Sequence, residues 1–210
     1  MYKDLIHCGH TLFNKKLVWG HSGNISARIE PNVFLISAGG TDLGNLKQDD
    51  LLRCLIDSEK CENMKSPSME TGLHKGIYRS FTEALAVIHS QPFYSTIVAC
   101  SNMEIKTDFL PEAMAYLINI ERVPYHHAGS VELARATAAK AQTSHVLLLE
   151  NHGVICWGAS LDEALLMTET LEFVCRLLVT SRQSNVEFNY LGEQVVDDFR
   201  QHLRKMGRLK

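Results

Sequence analysis

A chain of 210 residues that is 45% hydrophobic can bury a full core and is short enough to form one domain over residues 1–210. Its net charge of -3, with 21 basic and 24 acidic residues interspersed, argues against a nucleic-acid or polyanion footprint; the basic run Arg204-Lys205-Met206-Gly207-Arg208-Leu209-Lys210 reads as a solvated helix end. No signal-peptide core and no membrane-length run is present, and Cys8, Cys54, Cys61, Cys100, Cys156 and Cys175 include no Cys-x-x-Cys pair, so a soluble cytoplasmic protein with free thiols is expected.

Leu5, Ile6, Leu12 and Phe13 share a helical face, which predicts a first helix over about 3–16. Trp19-Gly20-His21-Ser22-Gly23-Asn24-Ile25-Ser26-Ala27-Arg28 reads as a loop rich in glycine and small hydroxyls, followed by a strand at 33–36 that runs into Ser37-Ala38-Gly39-Gly40-Thr41. Glycines so placed let bare amides approach an anion, and equally serve as plain turns at strand ends. Leu51 to Ile56 predicts another strand, and 57–65 a polar surface loop. Ser66-Pro67-Ser68 then supplies capping hydroxyls and a proline suited to a first turn, with Glu70, Leu73, His74, Ile77 and Tyr78 at helical spacing. This places Glu70 in the first helical turn, where a carboxylate ordinarily serves structure.

Ala86-Val87-Ile88-His89-Ser90-Gln91-Pro92 is an apolar, strand-length run that ends at an imidazole and breaks at proline. Helices are predicted at 93–100, opened by Pro92, and at 109–120, with a short extended piece at 123–125 and an alanine-rich helix from Ser130 to about Ala141. Val146 to Leu149 and Val154 to Trp157, separated by Glu150-Asn151-His152-Gly153, read as an antiparallel hairpin. Ser160-Leu161-Asp162-Glu163 is a capping box opening a helix to about Thr180, and a last amphipathic helix covers 193–206. The alternation favours an α/β, three-layer fold with a central mixed, largely antiparallel sheet flanked by helices over a dinucleotide-binding fold. If the two imidazole-bearing strands lie side by side, His89 and His152 come within reach of one ion.

In this order, Ser22-Gly23-Asn24-Ile25-Ser26-Ala27-Arg28, Ser68-Met69-Glu70 with His74, the 86–92 strand, and Asn151-His152-Gly153 with Trp157-Gly158 and Ser160-Leu161-Asp162-Glu163-Ala164 form a set. On this set the chain resembles the class II aldolase/adducin family, which includes fuculose-phosphate aldolase and ribulose-phosphate epimerase, over about residues 12–178. The resemblance implies metal ligands at His89 and His152, with Gln91 standing where the family has a second strand histidine. It implies Glu70 as acid and base, and Gly23, Asn24, Gly40 and Ser68 as the substrate or phosphate cradle. Gly39 and Met69 fall where phosphate-binding members carry hydroxyls, and Leu110 falls near the place of a tyrosine some aldolases bring from a neighbouring subunit, with Tyr116 out of register.

The implied function is retro-aldol cleavage of a small sugar or sugar phosphate by a metal-dependent aldehyde-lyase, through an enediolate. The ion would be zinc, or manganese or another divalent ion, since an amide oxygen at Gln91 is a weaker zinc ligand than imidazole. A homotetramer is implied, with no nucleic-acid or membrane partner. An epimerase, dehydratase or decarboxylase would use the same site, and a non-catalytic, adducin-like binding module is the alternative from another class.

Overall fold

The computed structural model describes residues 1–62 and 65–209. Asn63 and Met64, from the stretch expected as a polar loop, and Lys210 of the basic run lie outside the described residues. In chain order the elements are α1 (Tyr2–Asn14), β1 (Asn24–Glu30), β2 (Val33–Ser37), β3 (Leu51–Leu55), β4 (Cys61–Glu62), α2 (Thr71–Ser80), β5 (Ala86–Ser90), α3 (Phe93–Ala99), α4 (Pro111–Tyr116), β6 (Ile120–Val123), α5 (Val131–Lys140), β7 (Val146–Leu149), β8 (Gly153–Gly158), α6 (Leu161–Ser184) and α7 (Glu193–Lys205).

The strands form one sheet in the order β4-β3-β2-β1-β5-β8-β7-β6. Every neighbouring pair is antiparallel except β6 and β7, which α5 connects as parallel partners. The predicted mixed, largely antiparallel sheet is therefore the observed one. Helices cover both faces, which is why β5, β7 and β8 are continuous apolar runs rather than alternating ones. On one face Phe34, Ile36, Val87, Leu147, Ile155 and Trp157 pack against Leu73, Ile77 and Tyr78 of α2 and Leu133 of α5. On the other, Ile25, Leu35 and Ile88 meet Leu5, Cys8 and Leu12 of α1, while Leu148, Val154 and Cys156 meet Met167, Leu171 and Val174 of α6.

Several boundaries differ from the sequence reading. Residues 24–28, read as loop because of their small polar side chains, form a strand in the middle of the sheet. Those polar side chains find partners inside the fold, so hydropathy alone misjudged them. The helix expected at 109–120 is confined to Pro111–Tyr116, and the extended piece expected at 123–125 lies earlier, at Ile120–Val123. Within the stretch expected as a loop, Cys61 and Glu62 pair with β3, and Cys61 forms a disulfide with Cys54. The expectation of free thiols therefore fails for this pair, which adjacent strands bring face to face, and holds for Cys8, Cys100, Cys156 and Cys175.

The box opening α6 forms in shifted form. Ser160 Oγ accepts from the Glu163 amide at 3.0 Å, but Glu163 Oε2 reaches back to the amide of Ala159, at 2.7 Å, rather than to that of Ser160. The helix then runs 24 residues to a left-handed Asn185. No helix among the described residues is long and apolar enough to cross a membrane.

Candidate active site at the strand ends of β1, β5 and β8

The site begins where three adjacent strands stop together. Asn24 of β1 lies opposite His89 of β5, which lies opposite Ile155 of β8. His89 is almost wholly buried and donates from Nδ1 to the Val154 carbonyl at 3.0 Å, leaving Nε2 with its lone pair. The turn between β7 and β8 carries Asn151 in the left-handed region and delivers His152 beside it. The two imidazoles meet edge to face, with ring centroids 4.8 Å apart and planes at 71°.

Close backbone approach makes this possible. A Cβ on Gly153 would sit 2.6 Å from the Ser90 carbonyl oxygen, and one on Gly23, at φ +79, would sit 2.8 Å from that of His89. A larger residue at either place would push the three strand ends apart.

Burial keeps both imidazoles in the neutral form that binds a metal. That of His89 is pushed down to about 3 by burial and then by the neighbouring His152, and that of His152 is lowered by burial. Gln91, just past β5, lines with Asn151 and His152 a cavity of about 1160 Å³ whose other wall includes Trp19 and Phe93. Among the described residues no three His, Cys, Asp or Glu side chains come together as a metal site. The donors that fit a divalent ion are two neutral imidazoles and the Gln91 amide oxygen, a set suited to zinc or a somewhat harder ion.

Glu70 does not lie in the first turn of α2 as expected; it is the N-cap residue. Ser68 sets this start, because its carbonyl accepts from the Thr71 amide at 3.0 Å and the Thr71 hydroxyl at 2.6 Å, while its hydroxyl accepts from the Glu70 amide at 3.2 Å. Pro67, read as a first-turn proline, instead pairs in a β-bridge with Ala38. The Glu70 carboxyl is buried, and among the described residues neither oxygen has a side-chain partner; the backbone amide of Gly129 is the one donor close enough to act on it. Burial raises its pKa, opposed in part by the backbone amide of Gly129. A buried carboxyl left without a side-chain partner, in a fold that satisfies most of its polar groups, marks a group available to work on something else.

The expected cradle assembles in part. Asn24 Nδ2 donates to Ser68 Oγ at 3.1 Å, which joins β1 to the start of α2. Gly23 closes against β5 as described, and Gly40 sits in the turn after β2, where the neighbouring Gly39 donates its amide to the Ser66 carbonyl at 3.0 Å. No hydrogen bond joins Gly40 itself to Asn24 or Ser68 among the described residues.

Sequence reasoning gave no role to Ser26 or Tyr78 and only a place in a pattern to His74. The His74 ring is completely buried, with Nε2 2.5 Å from Asn24 Oδ1 and Nδ1 2.6 Å from Ser26 Oγ, which is in turn 2.7 Å from the Tyr78 hydroxyl. The signal that could have found this group was a histidine and a tyrosine four residues apart on the apolar face of α2.

The helix-covered, largely antiparallel sheet is the fold of the class II aldolases, sharing a TM-score of 0.87 with a solved L-fuculose 1-phosphate aldolase. The chain belongs to that family: the model described as Class II Aldolase and Adducin N-terminal domain matches residues 3–179. The chain is 34% identical over 175 residues, 83% of its length and 93% of the relative's, to an L-fuculose phosphate aldolase of Methanocaldococcus jannaschii. It is 28% identical over 199 residues, 92% of its length and 93% of the relative's, to a 3-oxo-tetronate 4-phosphate decarboxylase of Haemophilus influenzae. Among solved structures, Klebsiella pneumoniae YgbL, named for three alternative reactions as an aldolase, epimerase or decarboxylase, superposes with a TM-score of 0.87 at 28% identity, covering 95% of this chain and 97% of that one.

Proposed function

We propose that this protein is a divalent-metal-dependent lyase that breaks a carbon–carbon bond in a small sugar or sugar phosphate and leaves an enediolate, with retro-aldol release of an aldehyde as the leading reaction. The observation that carries this reading is the buried Glu70 carboxyl, without a side-chain partner among the described residues, on the same hydrogen-bonded framework as the His89 and His152 pair. His89, His152 and Gln91 would hold the ion, zinc in the first instance, and when bound it would supply positive charge against the negative charge that develops on two substrate oxygens. Gly23, Asn24, Gly40 and Ser68 bind and orient the substrate, phosphorylated or not. Glu70 acts first as base and then as acid: it takes the proton of the substrate hydroxyl that becomes the aldehyde as the bond breaks, and returns it to the enediolate carbon. It can do so because no salt bridge among the described residues consumes it. Apolar walls at Phe93 and Trp19, both more than 65% exposed, support assembly into a homotetramer that would cover them.

Decarboxylation is the second reading, favoured by the match to a 3-oxo-tetronate 4-phosphate decarboxylase across 92% of this chain. Loss of carbon dioxide from a 3-oxo acid bearing a 2-hydroxyl also leaves an enediolate, so the same residues serve. The test uses tag-free protein reconstituted with zinc or manganese and screened against ketose phosphates, free ketoses and 3-oxo acid phosphates, with His152→Ala as control. Aldehyde release lost in the control supports the aldolase, and carbon dioxide release lost in the control supports the decarboxylase. Neither product from any substrate, with no metal retained, would overturn the lyase and favour a binding module.

A further inference from the structure

We infer that His74 is a positioning residue that aligns a one-way hydrogen-bond relay, Tyr78 to Ser26 to His74 to Asn24 to Ser68, so that the Ser68 hydroxyl is held as a donor for an anionic oxygen of the substrate. The inference deepens the lyase reading, since it rests on Ser68 facing the substrate. Its substance lies in residues buried beneath the site that touch no ligand.

The direction follows from counting donors. Ser68 Oγ accepts from Asn24 Nδ2 at 3.1 Å and from the Glu70 amide at 3.2 Å. A hydroxyl has two acceptor positions and one proton, so both positions are filled and the proton is uncommitted. For Asn24 to present its NH2 to Ser68, its carbonyl must face His74, and the 2.5 Å contact then requires the proton on His74 Nε2. Nδ1 is left as an acceptor for Ser26 at 2.6 Å, and Ser26 accepts from Tyr78 at 2.7 Å. Each bond along the relay has its donor and acceptor, and a free proton emerges at Ser68, which is partly exposed; the second hydrogen of the Asn24 amide lies outside the relay.

The reversed chain, with Asn24 turned over, uses the Ser68 proton on Asn24 and pushes the unmet donor to the other end. There it falls on the Tyr78 hydroxyl, which is buried and has no hydrogen-bond partner other than Ser26 among the described residues. A buried donor without an acceptor disfavours that arrangement roughly five- to hundredfold. Bonds aligned in one sense also polarise one another. The relay therefore sets the orientation of an amide that could otherwise flip, and with it the chemistry Ser68 offers. An anion gains from this, whereas a ligand that can only donate meets a serine with no acceptor left.

The test has two readouts. In protein labelled with nitrogen-15 at histidine, long-range proton–nitrogen correlation reports the His74 tautomer, assigned by its loss in His74→Gln. The expected result is a proton on Nε2; a proton on Nδ1 overturns the relay, and this measurement needs no variant beyond the assignment. Phosphate binding is then followed by phosphorus-31 line broadening with inorganic phosphate. His74→Phe, which offers Asn24 no donor, should weaken binding about tenfold. His74→Gln, whose amide nitrogen can stand where Nε2 stood, should bind within about threefold of the unaltered protein. Equal binding by His74→Phe and the unaltered protein, with Ser68→Ala weakened, overturns the relay while leaving the substrate site intact. Unchanged binding in Ser68→Ala, or none by the unaltered protein, overturns the substrate-site reading and the inference with it. Should His74→Phe fail to fold, Ser26→Ala takes its place, since it removes the partner that biases the tautomer.

Discussion

His89 and His152 meet edge to face at the ends of two neighbouring strands, and the Nδ1 proton of His89 is committed to the carbonyl of Val154, the first residue after the turn glycine. The backbone of β8 thus orients the ring that the turn before it must meet. Removing either imidazole should break the pair's hold on a divalent ion, because the remaining protein donors are one imidazole and one amide.

His152→Ala is therefore expected to lower metal content at least tenfold after gel filtration, read by elemental analysis. Gln91→His should act in the opposite sense and raise zinc affinity about tenfold, because imidazole is a better zinc ligand than an amide oxygen. Chelator competition measures it. Unchanged affinity in Gln91→His would place that side chain outside the coordination sphere.

Glu70→Gln should lower turnover by roughly 10²–10⁴ if Glu70 carries the proton. Its effect on stability has a definite sign. Burial raises the folded-state pKa above the ordinary carboxylate value, so the folded protein binds the extra proton in the interval between the two values. Stability therefore falls as pH rises through that interval and stays lower above it. Glu70→Gln should match the unaltered protein near pH 4 and exceed it at pH 8 in urea denaturation. Equal stability at both would show that the carboxyl is better solvated than its burial implies.

In chelator-treated protein, His74 and His89 should make the fold acid-sensitive. Both are pushed down to about 3 from an ordinary 6.5, mainly by burial. Below 6.5 the unfolded chain takes up a proton at each and the native state does not. Their stabilisation is complete above 6.5 and declines as pH falls, by at most about 1.4 kcal/mol per pH unit per histidine. His74→Gln should remove about half of this slope between pH 6.5 and 4.5.

The bond between Cys54 and Cys61 ties β4 to the sheet edge and closes a short loop, which limits the unfolded chain. Reductant should lower stability by about 2 kcal/mol, and Cys61→Ser should abolish the response. A response of equal size in Cys61→Ser would assign it to another thiol.

The sheet, its helices and the two imidazoles were legible in the sequence because they follow from local rules. Val146 to Leu149 and Val154 to Trp157 are apolar runs around a turn, and such runs pair as neighbours. Leu165, Leu166 and Leu171 follow a serine cap, and the helix begins there. What local rules could not supply was the fate of the polar residues. Asn24, Ser26 and Arg28 look like a loop when hydropathy is the guide, and they form a central strand because α2 brings His74, Tyr78 and backbone carbonyls to meet them.

Glu70 shows the same division. Its place near a helix start was readable from Ser66-Pro67-Ser68, but whether its carboxyl would be exposed or buried without a side-chain partner depended on what packs above it, including the loop at Gly129. The sequence by itself determined the apolar strands, the capped helices and the residues able to do chemistry, because propensity and periodicity act between near neighbours. Only the tertiary structure decided that His89 faces His152, that Cys54 meets Cys61, and that a buried histidine orients Asn24. Those outcomes depend on the order of strands in the sheet and on distances between residues far apart in the chain, which no local pattern encodes.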